Sequence, residues 1–292
     1  MGVRRAVEQA CLQAAPIPAE KAGGAVYTLG PLIHNPQALE ELSRLGITIL
    51  DENNLPENPG SATVIIRAHG VSPRAEAELR RRGAAVVDAT CPHVKASQTK
   101  AAALAKGGCF LFIAGEKTHA EILSLIGYAE NSKEKCFSII SDTAEAENAA
   151  AQLHAENPRQ KTALIGQTTI SADEYSAITE AIIKHFPNTE IVASICSATV
   201  ERQNSLRELL NEVDAVVIAG GKKSANTRRL LQIAQESDKP CALAETAADI
   251  PPEFYRYATV GLAAGASTPD AVIEEIEKKL NEISPSPRQH HQ

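Results

Sequence analysis

The chain has 292 residues, enough for two or three domains that each bury a hydrophobic core. Hydrophobic residues make up 43% of it. No apolar run approaches the ~20 residues of a membrane-spanning helix and no signal-peptide pattern opens the chain, so we expect a cytoplasmic protein without a membrane partner. The formal net charge of −7 argues against nucleic acid as the main partner, and any bound anion must then meet a local set of donors.

Strand-like and helix-like segments alternate along nearly the whole chain, which predicts an α/β fold with mostly parallel sheets. We expect a first unit at residues 1–92, with helices at 2–14, 36–45 and 73–82 and strands at 25–29, 47–50, 62–67 and 84–87. A second unit at 93–195 is predicted to have strands at 109–114, 136–140, 161–165 and 190–193 and helices at 119–128, 143–155 and 172–186. A third unit at 196–282 is predicted to have helices at 198–212, 224–236 and 268–282 and strands at 214–219, 241–244 and 257–262, before a disordered tail at 283–292.

Six cysteines are present and none forms a C-x-x-C pair, which argues against zinc-finger and thioredoxin-like sites. Cys91 and Cys196 differ from the others because each lies where a predicted strand gives way to the start of a helix. The N–H groups and positive dipole end of a helix N-terminus stabilise a thiolate there. The cysteines that adjoin or begin apolar strands are expected to act as small hydrophobic residues, and these are Cys109, Cys136 and Cys241.

Polar residues gather in the loops that follow the predicted strands, where the helix N-termini of open α/β sheets bind anions. These loops contain His34-Asn35, His69-Gly70, His119-Ala120-Glu121, Gln167-Thr168-Thr169, Ser224-Ala225-Asn226 and Gly265-Ala266-Ser267. Such donors suit a phosphate or diphosphate, and cysteines from distant units suit an iron–sulfur cluster. Glu121, two residues after a histidine, suits proton delivery. The set predicts a reductive reaction on a phosphorylated organic substrate.

The sequence resembles the LytB/IspH family of 4-hydroxy-3-methylbut-2-enyl diphosphate reductases, which catalyse the last step of the non-mevalonate isoprenoid pathway. The resemblance rests on motifs that occur in family order, with family-like spacing, across nearly the whole chain. They are MGVRRA at 1–6, IHN at 33–35, AHGVS at 68–72, DATCP at 88–92, THAE at 118–121, QTT at 167–169, ICSAT at 195–199, SAN at 224–226 and GASTPD at 265–270. Each motif is weak alone and the set is specific.

The resemblance implies three αβα units around a central pocket, with one cysteine from each unit holding a 4Fe–4S cluster. Electrons from a ferredoxin or flavodoxin would enter through the cluster, the C–O bond would break, and protonation would give isopentenyl and dimethylallyl diphosphate. Cys91 and Cys196 would be cluster ligands, Glu121 the proton relay, and Thr168 the residue that orders the hydroxyl end of the substrate. The implied diphosphate-binding residues are His34, His69, His119, Ser224, Asn226 and Ser267.

The chain departs from the family's motifs in three places. The family's G-F-C-x-G-V-x-R-A would place its first cluster cysteine immediately before Met1, and a misassigned start explains this better than a real truncation. Cys11 lies ~15 Å further along the first helix, too far to substitute, so we expect the 292-residue chain alone to hold a labile or incomplete cluster and to have little activity. The family's Ser-Ser-Asn is Ser-Ala-Asn at 224–226, and its H-P-E-V-E-G ends in Ser124.

Two other functions are compatible with parts of this pattern. An iron–sulfur sensor without turnover would use the two cysteines but would leave Glu121, Thr168 and the diphosphate donors without a role. A cluster-free α/β protein that binds a phosphorylated metabolite would use Cys91 and Cys196 as structural residues. Iron and sulfide content separates these two alternatives, and dithionite-driven turnover of the diphosphate substrate separates both from the enzyme.

Overall fold

A computed structural model describes residues 2–14, 25–51, 62–130 and 136–283 of the chain. It divides into two compact units, the first made of Met1–Leu32 and Glu41–Cys196 and the second of Ile33–Glu40 and Ser197–Gln292. Every strand pair in the described residues is parallel, in three sheets, so the predicted α/β fold with parallel sheets is confirmed. The predicted unit boundaries at residues 92, 195 and 282 stay predictions, and the tail after Ile283 lies outside the described residues.

The first unit contains a four-stranded sheet with the strand order β2-β1-β3-β4. Its strands are β1 (Val26–Leu29), β2 (Thr48–Leu50), β3 (Thr63–Ile66) and β4 (Ala85–Asp88). The helices are α1 (Gly2–Ala14) before β1, α2 (Pro36–Arg44) between β1 and β2, and α3 (Pro73–Arg81) between β3 and β4. The first residues of α2 belong to the second unit. Leu29, Val64, Ile66 and Leu79 form its buried core. Ser72 begins α3, and its hydroxyl accepts the Ala75 N–H at 3.2 Å.

The first unit also contains a second four-stranded sheet, in the order β6-β5-β7-β8. Its elements are α4 (Pro92–Lys106), β5 (Phe110–Ala114), α5 (Ala120–Ala129), β6 (Phe137–Ile140), α6 (Thr143–Glu156), β7 (Thr162–Gly166), α7 (Ala172–Ile183) and β8 (Glu190–Ile191). The central strands β5 and β7 are almost wholly buried because helices cover both faces of the sheet, as parallel sheets require. Tyr175, Ile178 and Ile182 of α7 face this core, as the sequence periodicity indicates.

The second unit contains a three-stranded sheet in the order β10-β9-β11. Its elements are α8 (Ser197–Glu212), β9 (Ala215–Ala219), α9 (Ala225–Gln235), β10 (Cys241–Ala244), two short 3₁₀ helices (Ala247–Asp249 and Pro252–Arg256), β11 (Val260–Ala264) and α10 (Asp270–Ile283). Val272 and Ile276 of α10 are buried against β9 and the 3₁₀ segments. No helix in these described ranges is long and apolar enough to cross a membrane.

The predicted elements differ from the structure mainly at two boundaries. The strand predicted at 257–262 is β11 at Val260–Ala264, because Tyr257 ends a 3₁₀ helix and Asp214 holds the following residues. The Asp214 carboxylate accepts the Thr259 N–H at 2.9 Å and the Thr259 hydroxyl at 2.8 Å, which fixes the entry to the strand. The helix predicted to reach residue 186 ends at Ile183, and Phe186 instead packs into the core from the loop.

Candidate functional site

Backbone hydrogen bonds join the loops at the carboxyl ends of the strands of the first unit into two groups. The Cys91 N–H, after β4, donates to the Ala68 carbonyl, after β3, at 2.9 Å. The Gln167 N–H, after β7, donates to the Ala114 carbonyl of β5 at 2.7 Å, and the Cys196 N–H donates to the Thr168 carbonyl at 3.0 Å. The loops after β3 and β4 therefore form one connected group, and the end of β5, the loop after β7 and the residue before α8 form another.

Glu121 and Thr168 make the most direct contact in the site. Glu121 lies in the first turn of α5 and is 1% exposed. Its Oε1 accepts the Thr168 N–H at 2.6 Å, and its Oε2 accepts the Thr168 hydroxyl at 2.9 Å. Burial raises the pKa of Glu121 to about 7, although both hydrogen bonds from Thr168 act to lower it. The carboxyl group therefore exchanges its proton near neutral pH, as a general acid must.

The hydrogen bonds also fix which carboxyl oxygen of Glu121 carries that proton. Oε1 faces a backbone N–H, which can only donate, so a proton on Oε1 would weaken this bond, because the hydroxyl oxygen of an acid accepts less well than its carbonyl oxygen. Oε2 faces a hydroxyl, which can reverse its direction and accept. The proton of neutral Glu121 therefore lies on Oε2 and points at the Thr168 Oγ1, whose own hydrogen is then available to a ligand.

His119 is the residue before α5, and its ring caps the helix. The Glu121 N–H donates to the His119 Nδ1 at 3.2 Å, so this nitrogen is an acceptor and the ring proton lies on Nε2. The ring of His69 stands edge-on to that of His119, with the ring centroids 5.1 Å apart. His119 is buried and His69 is half-buried. The predicted residues His69, His119, Glu121 and Thr168 thus lie in one continuous series of contacts.

Cys91 begins α4 directly before Pro92, and its side chain makes no capping hydrogen bond to the helix. The sulfur is free of a disulfide and half-buried. The backbone of Gly2 in α1 lies against it, because a Cβ atom added to Gly2 would overlap the Cys91 Sγ and Cβ. Only glycine leaves this space, so the first turn of α1 forms one wall of the Cys91 environment.

Cys196 immediately precedes α8 and is also a half-buried free thiol. Its backbone bond to Thr168 joins it to the series that runs through Glu121, His119 and His69, and the bond between Cys91 and Ala68 joins the other end. Both predicted thiol ligands are therefore connected to the series of contacts that contains Glu121 and the two histidines. Soft thiolate donors at two helix N-termini are suited to an iron–sulfur group.

The second unit presents its own set of the predicted residues at the start of α9. The Ser224 hydroxyl accepts the Thr227 N–H at 3.4 Å, and the Ser267 hydroxyl donates to the Ser224 Oγ at 3.4 Å. Asn226 is 5% exposed, and neither its amide oxygen nor its amide nitrogen has a hydrogen-bond partner among the described residues. A buried amide is costly when unpaired, so this site has the chemistry of a binding site for a polar group.

His34 and Asn35 also belong to the second unit. The Asn35 Oδ1 accepts the Ala38 N–H at 2.9 Å and caps α2 before Pro36, as the sequence indicates. The loop at Gly221 lies against the His34 backbone, since a Cβ atom added there would overlap the His34 carbonyl oxygen. A glycine at 221 therefore sets the position of His34 within this unit.

Two polar residues near the site were not predicted from the sequence. Gln98 of α4 and Ser124 of α5 are 1% and 2% exposed, and the Gln98 Nε2 donates to the Ser124 Oγ at 3.0 Å. Ser124 could have been identified as the last residue of a motif that ends in glycine in the family. Gln98 lies in the middle of a helix with no local signal, and only its packing against α5 reveals it.

Comparisons with known proteins give one consistent result. The chain matches the family described as LytB protein over residues 1–281. It is 44% identical over 287 residues to the 4-hydroxy-3-methylbut-2-enyl diphosphate reductase of Treponema denticola, an alignment that covers 96% of this chain and 95% of that protein. The protein of the same name from Aquifex aeolicus is 37% identical over 283 residues, with 97% and 92% covered.

Two solved structures are similar over almost the whole chain. One is (E)-4-hydroxy-3-methyl-but-2-enyl diphosphate reductase, described as the terminal enzyme of the non-mevalonate pathway, with a TM-score of 0.67, 35% identity, and 97% of this chain and 95% of that chain covered. The other is the E-1-hydroxy-2-methyl-but-2-enyl-4-diphosphate reductase of Plasmodium falciparum, with a TM-score of 0.83 over 98% of this chain and 85% of that chain. At 24% identity, the second comparison shows a shared fold.

Proposed function

The chain belongs to the LytB protein family, and we propose that it reductively dehydroxylates 4-hydroxy-3-methylbut-2-enyl diphosphate to isopentenyl and dimethylallyl diphosphate. The net reaction uses two electrons and two protons, breaks the C–O bond, forms a C–H bond and releases water. The observation that carries the proposal is the buried pair of Glu121 and Thr168, which a backbone hydrogen bond joins to Cys196 and the contact between the His119 and His69 rings connects to the loop that binds the Cys91 backbone.

Membership of this family implies an iron–sulfur cofactor. We propose that it is a 4Fe–4S cluster and that Cys91 and Cys196 are two of its ligands. The donor set fits such a group, because both thiols lie at helix N-termini and neither forms a disulfide. When bound, the cluster would pass the two electrons one at a time from the external reductant and would offer an iron site for the substrate hydroxyl. The third cysteine ligand, predicted before Met1, stays a prediction.

Glu121 is the proposed proton donor, and Thr168 is the proposed relay. The neutral acid holds its proton on Oε2, beside the Thr168 hydroxyl. Proton transfer to the Thr168 Oγ1, with release of the hydroxyl's own hydrogen toward the substrate, delivers one proton without moving either side chain. The ionised Glu121 is then stabilised by the same two Thr168 donors that face it in the structure.

The proposed diphosphate-binding residues donate hydrogen bonds without adding a permanent positive charge. His119 accepts the Glu121 N–H at its Nδ1, which places the ring proton on Nε2, and the His69 ring lies beside it. In the second unit, the unpaired Asn226 amide and the hydroxyls of Ser224 and Ser267 support the same assignment. His34 is assigned to this group by the resemblance. A ferredoxin- or flavodoxin-type electron donor and a cytoplasmic location complete the proposal.

The decisive experiment combines cluster content with turnover. The protein is reconstituted anaerobically with iron and sulfide, as the 292-residue chain and as a form extended by Gly-Phe-Cys before Met1. We expect the extended form to hold a stable cluster and to turn over the diphosphate substrate with dithionite, and the shorter form to lose iron quickly. A stable, stoichiometric 4Fe–4S spectrum from the shorter form would contradict the predicted role of the cysteine before Met1.

Cysteine variants test the ligand assignment in the same preparation. Cys91→Ser and Cys196→Ser are each expected to lose iron and dithionite-driven turnover together. Cys109→Ser is the matched control, because Cys109 packs at the start of β5 and burial raises its thiol pKa. Iron binding without turnover of the diphosphate would favour an iron–sulfur sensor. Substrate binding with no iron in any form would favour a cluster-free protein that binds a phosphorylated metabolite.

A further inference from the structure

A buried hydrogen-bond network contacts the backbone of both His69 and Glu121. Gln98 of α4 and Ser124 of α5 are its centre, and the two helices pack directly against each other. The Ser124 Oγ accepts the Gln98 Nε2–H at 3.0 Å. Neither residue has a role in the proposed chemistry, yet both are polar in an apolar interior, which requires a physical reason.

The Ser124 hydroxyl joins two segments of the site that are distant in sequence. It donates to the Glu121 carbonyl at 2.8 Å and lies 3.2 Å from the His69 carbonyl, so its single hydrogen is shared between the two acceptors. The first carbonyl belongs to the turn of α5 that carries the proposed acid. The second belongs to the loop after β3 that carries a proposed diphosphate ligand. The Gln98 amide orients the hydroxyl by occupying a lone pair on its oxygen.

The turn at His69 and Gly70 is held from two further directions. Gly70 has a φ of +74°, and a Cβ atom there would overlap the Gln98 Nε2, so the Gln98 amide packs directly on this turn. The Nε of Arg67, itself 9% exposed, donates to the Gly70 carbonyl at 3.3 Å. The backbone of His69 is therefore fixed by Gln98 and Ser124 on one side and by Arg67 on the other.

We propose that Gln98 and Ser124 are positioning residues that set the His69 ring relative to His119 and Glu121. The proposal deepens the function proposed above and rests on it for the role of His69 in diphosphate binding. Ser124 occupies a position that is glycine in the family's motif, and glycine has no hydroxyl to make this link.

The first test measures the position of the rings without any ligand or turnover. In protein with isotope-labelled histidine, we expect a nuclear Overhauser contact between the His69 and His119 ring protons in the wild type and its loss or weakening in Ser124→Ala. The matched control is Ser97→Ala, which removes a hydroxyl from a serine of α4 that is also buried, at 4% exposure. An unchanged contact in folded Ser124→Ala overturns the proposal, whatever the protein's activity.

The second test measures how the position of the His69 ring affects anion binding, with inorganic pyrophosphate as the probe. We expect Ser124→Ala to weaken its affinity about 3- to 10-fold, the factor of one net hydrogen bond, and Ser97→Ala to change it less than twofold. Gln98→Leu should weaken pyrophosphate binding in the same way. The double variant Gln98→Leu/Ser124→Ala should bind as tightly as Ser124→Ala alone, because both substitutions disrupt the same hydrogen-bond network.

The melting temperature of Ser124→Ala, compared with its pyrophosphate affinity, distinguishes a positioning role from a purely structural one. A structural role predicts a lower melting temperature in Ser124→Ala with unchanged pyrophosphate affinity, and that result overturns the proposal. If Ser124→Ala does not fold, Ser124→Thr keeps the hydroxyl and Gln98→Leu removes only its orienting donor, and the ring contact is measured in both. Failure of the wild type to bind pyrophosphate would contradict the proposed diphosphate site, while the ring contact would still decide the positioning role.

Discussion

Replacing Glu121 by glutamine should remove a pH dependence of stability that the structure predicts in both sign and size. Burial raises the pKa of Glu121 from 4.5 to about 7. Because the folded protein binds this proton more tightly than the unfolded chain does, the stabilisation is fully present below pH 4.5. It is lost as the pH rises through about 7. The difference in pKa corresponds to roughly 3 kcal/mol of unfolding free energy, at about 1.4 kcal/mol per pKa unit.

Glutamine keeps the shape of the protonated acid but cannot ionise. The free energy of unfolding of Glu121→Gln, relative to the wild type, should therefore increase by roughly 3 kcal/mol between pH 4.5 and pH 7.5 and stay constant above that. Urea unfolding at a series of pH values measures it. Glu156→Gln, at the exposed end of α6, is the control for replacing a surface carboxylate by an amide. Parallel pH profiles for wild type and Glu121→Gln would refute the reasoning.

Infrared spectroscopy reports the same proton directly. The wild type should show a protonated-carboxyl band below pH 7 that disappears with a midpoint near 7 and is absent from Glu121→Gln. Turnover should follow this titration, because only the neutral acid can deliver a proton. Loss of the general acid in Glu121→Gln should lower the turnover rate by about 10²- to 10⁴-fold. A midpoint near the ordinary glutamate value would mean that the site is wetter than the structure indicates.

Three further substitutions test the surroundings of the site. Thr168→Val keeps the backbone N–H but loses the hydroxyl that faces the Glu121 Oε2. The midpoint of the carboxyl titration in the infrared spectrum should therefore move above that of the wild type. An unchanged midpoint would exclude the hydroxyl as a donor that stabilises the ionised carboxylate. Asn226→Leu should leave the free energy of unfolding unchanged or raise it by about 1–3 kcal/mol, because it removes an unpaired buried amide. The same variant should bind pyrophosphate more weakly in calorimetry. A large loss of stability would show that the amide has hydrogen-bond partners. Gly221→Ala should lower the free energy of unfolding by about 1–3 kcal/mol, since the added Cβ atom would overlap the His34 carbonyl oxygen. If this variant were as stable as the wild type, the loop at Gly221 would be able to shift.

Much of this fold could be predicted because the sequence signals are local. The alternation of apolar strands with capped helices predicts the three parallel sheets, and the proline after Cys91 marks the start of α4. The entry to β11 could not be predicted, because it depends on Asp214, 45 residues earlier in the chain, binding Thr259. A pattern of local hydrophobicity cannot reveal such a contact, so the predicted strand begins at Tyr257, before the observed start at Val260.

The candidate site, like the fold, could be predicted only in part. Glu121, Thr168 and the two histidines could be identified from their common place after strands. The sequence does not reveal that Glu121 is almost wholly buried or that both of its carboxyl oxygens face donors of Thr168. Both follow from the packing of the α5 turn against the loop after β7. Gln98 escaped prediction because a mid-helix glutamine is usually a solvated residue, and its role depends on the helix that packs against it.

The most direct test of the central claim is product formation by the anaerobically reconstituted protein, in the form extended by Gly-Phe-Cys, with dithionite as reductant. We expect this protein to convert 4-hydroxy-3-methylbut-2-enyl diphosphate to isopentenyl and dimethylallyl diphosphate, and Glu121→Gln with the same iron content to form them at a small fraction of the rate. A fully loaded cluster that binds the substrate and forms neither product would contradict the assignment of this chain as a reductase.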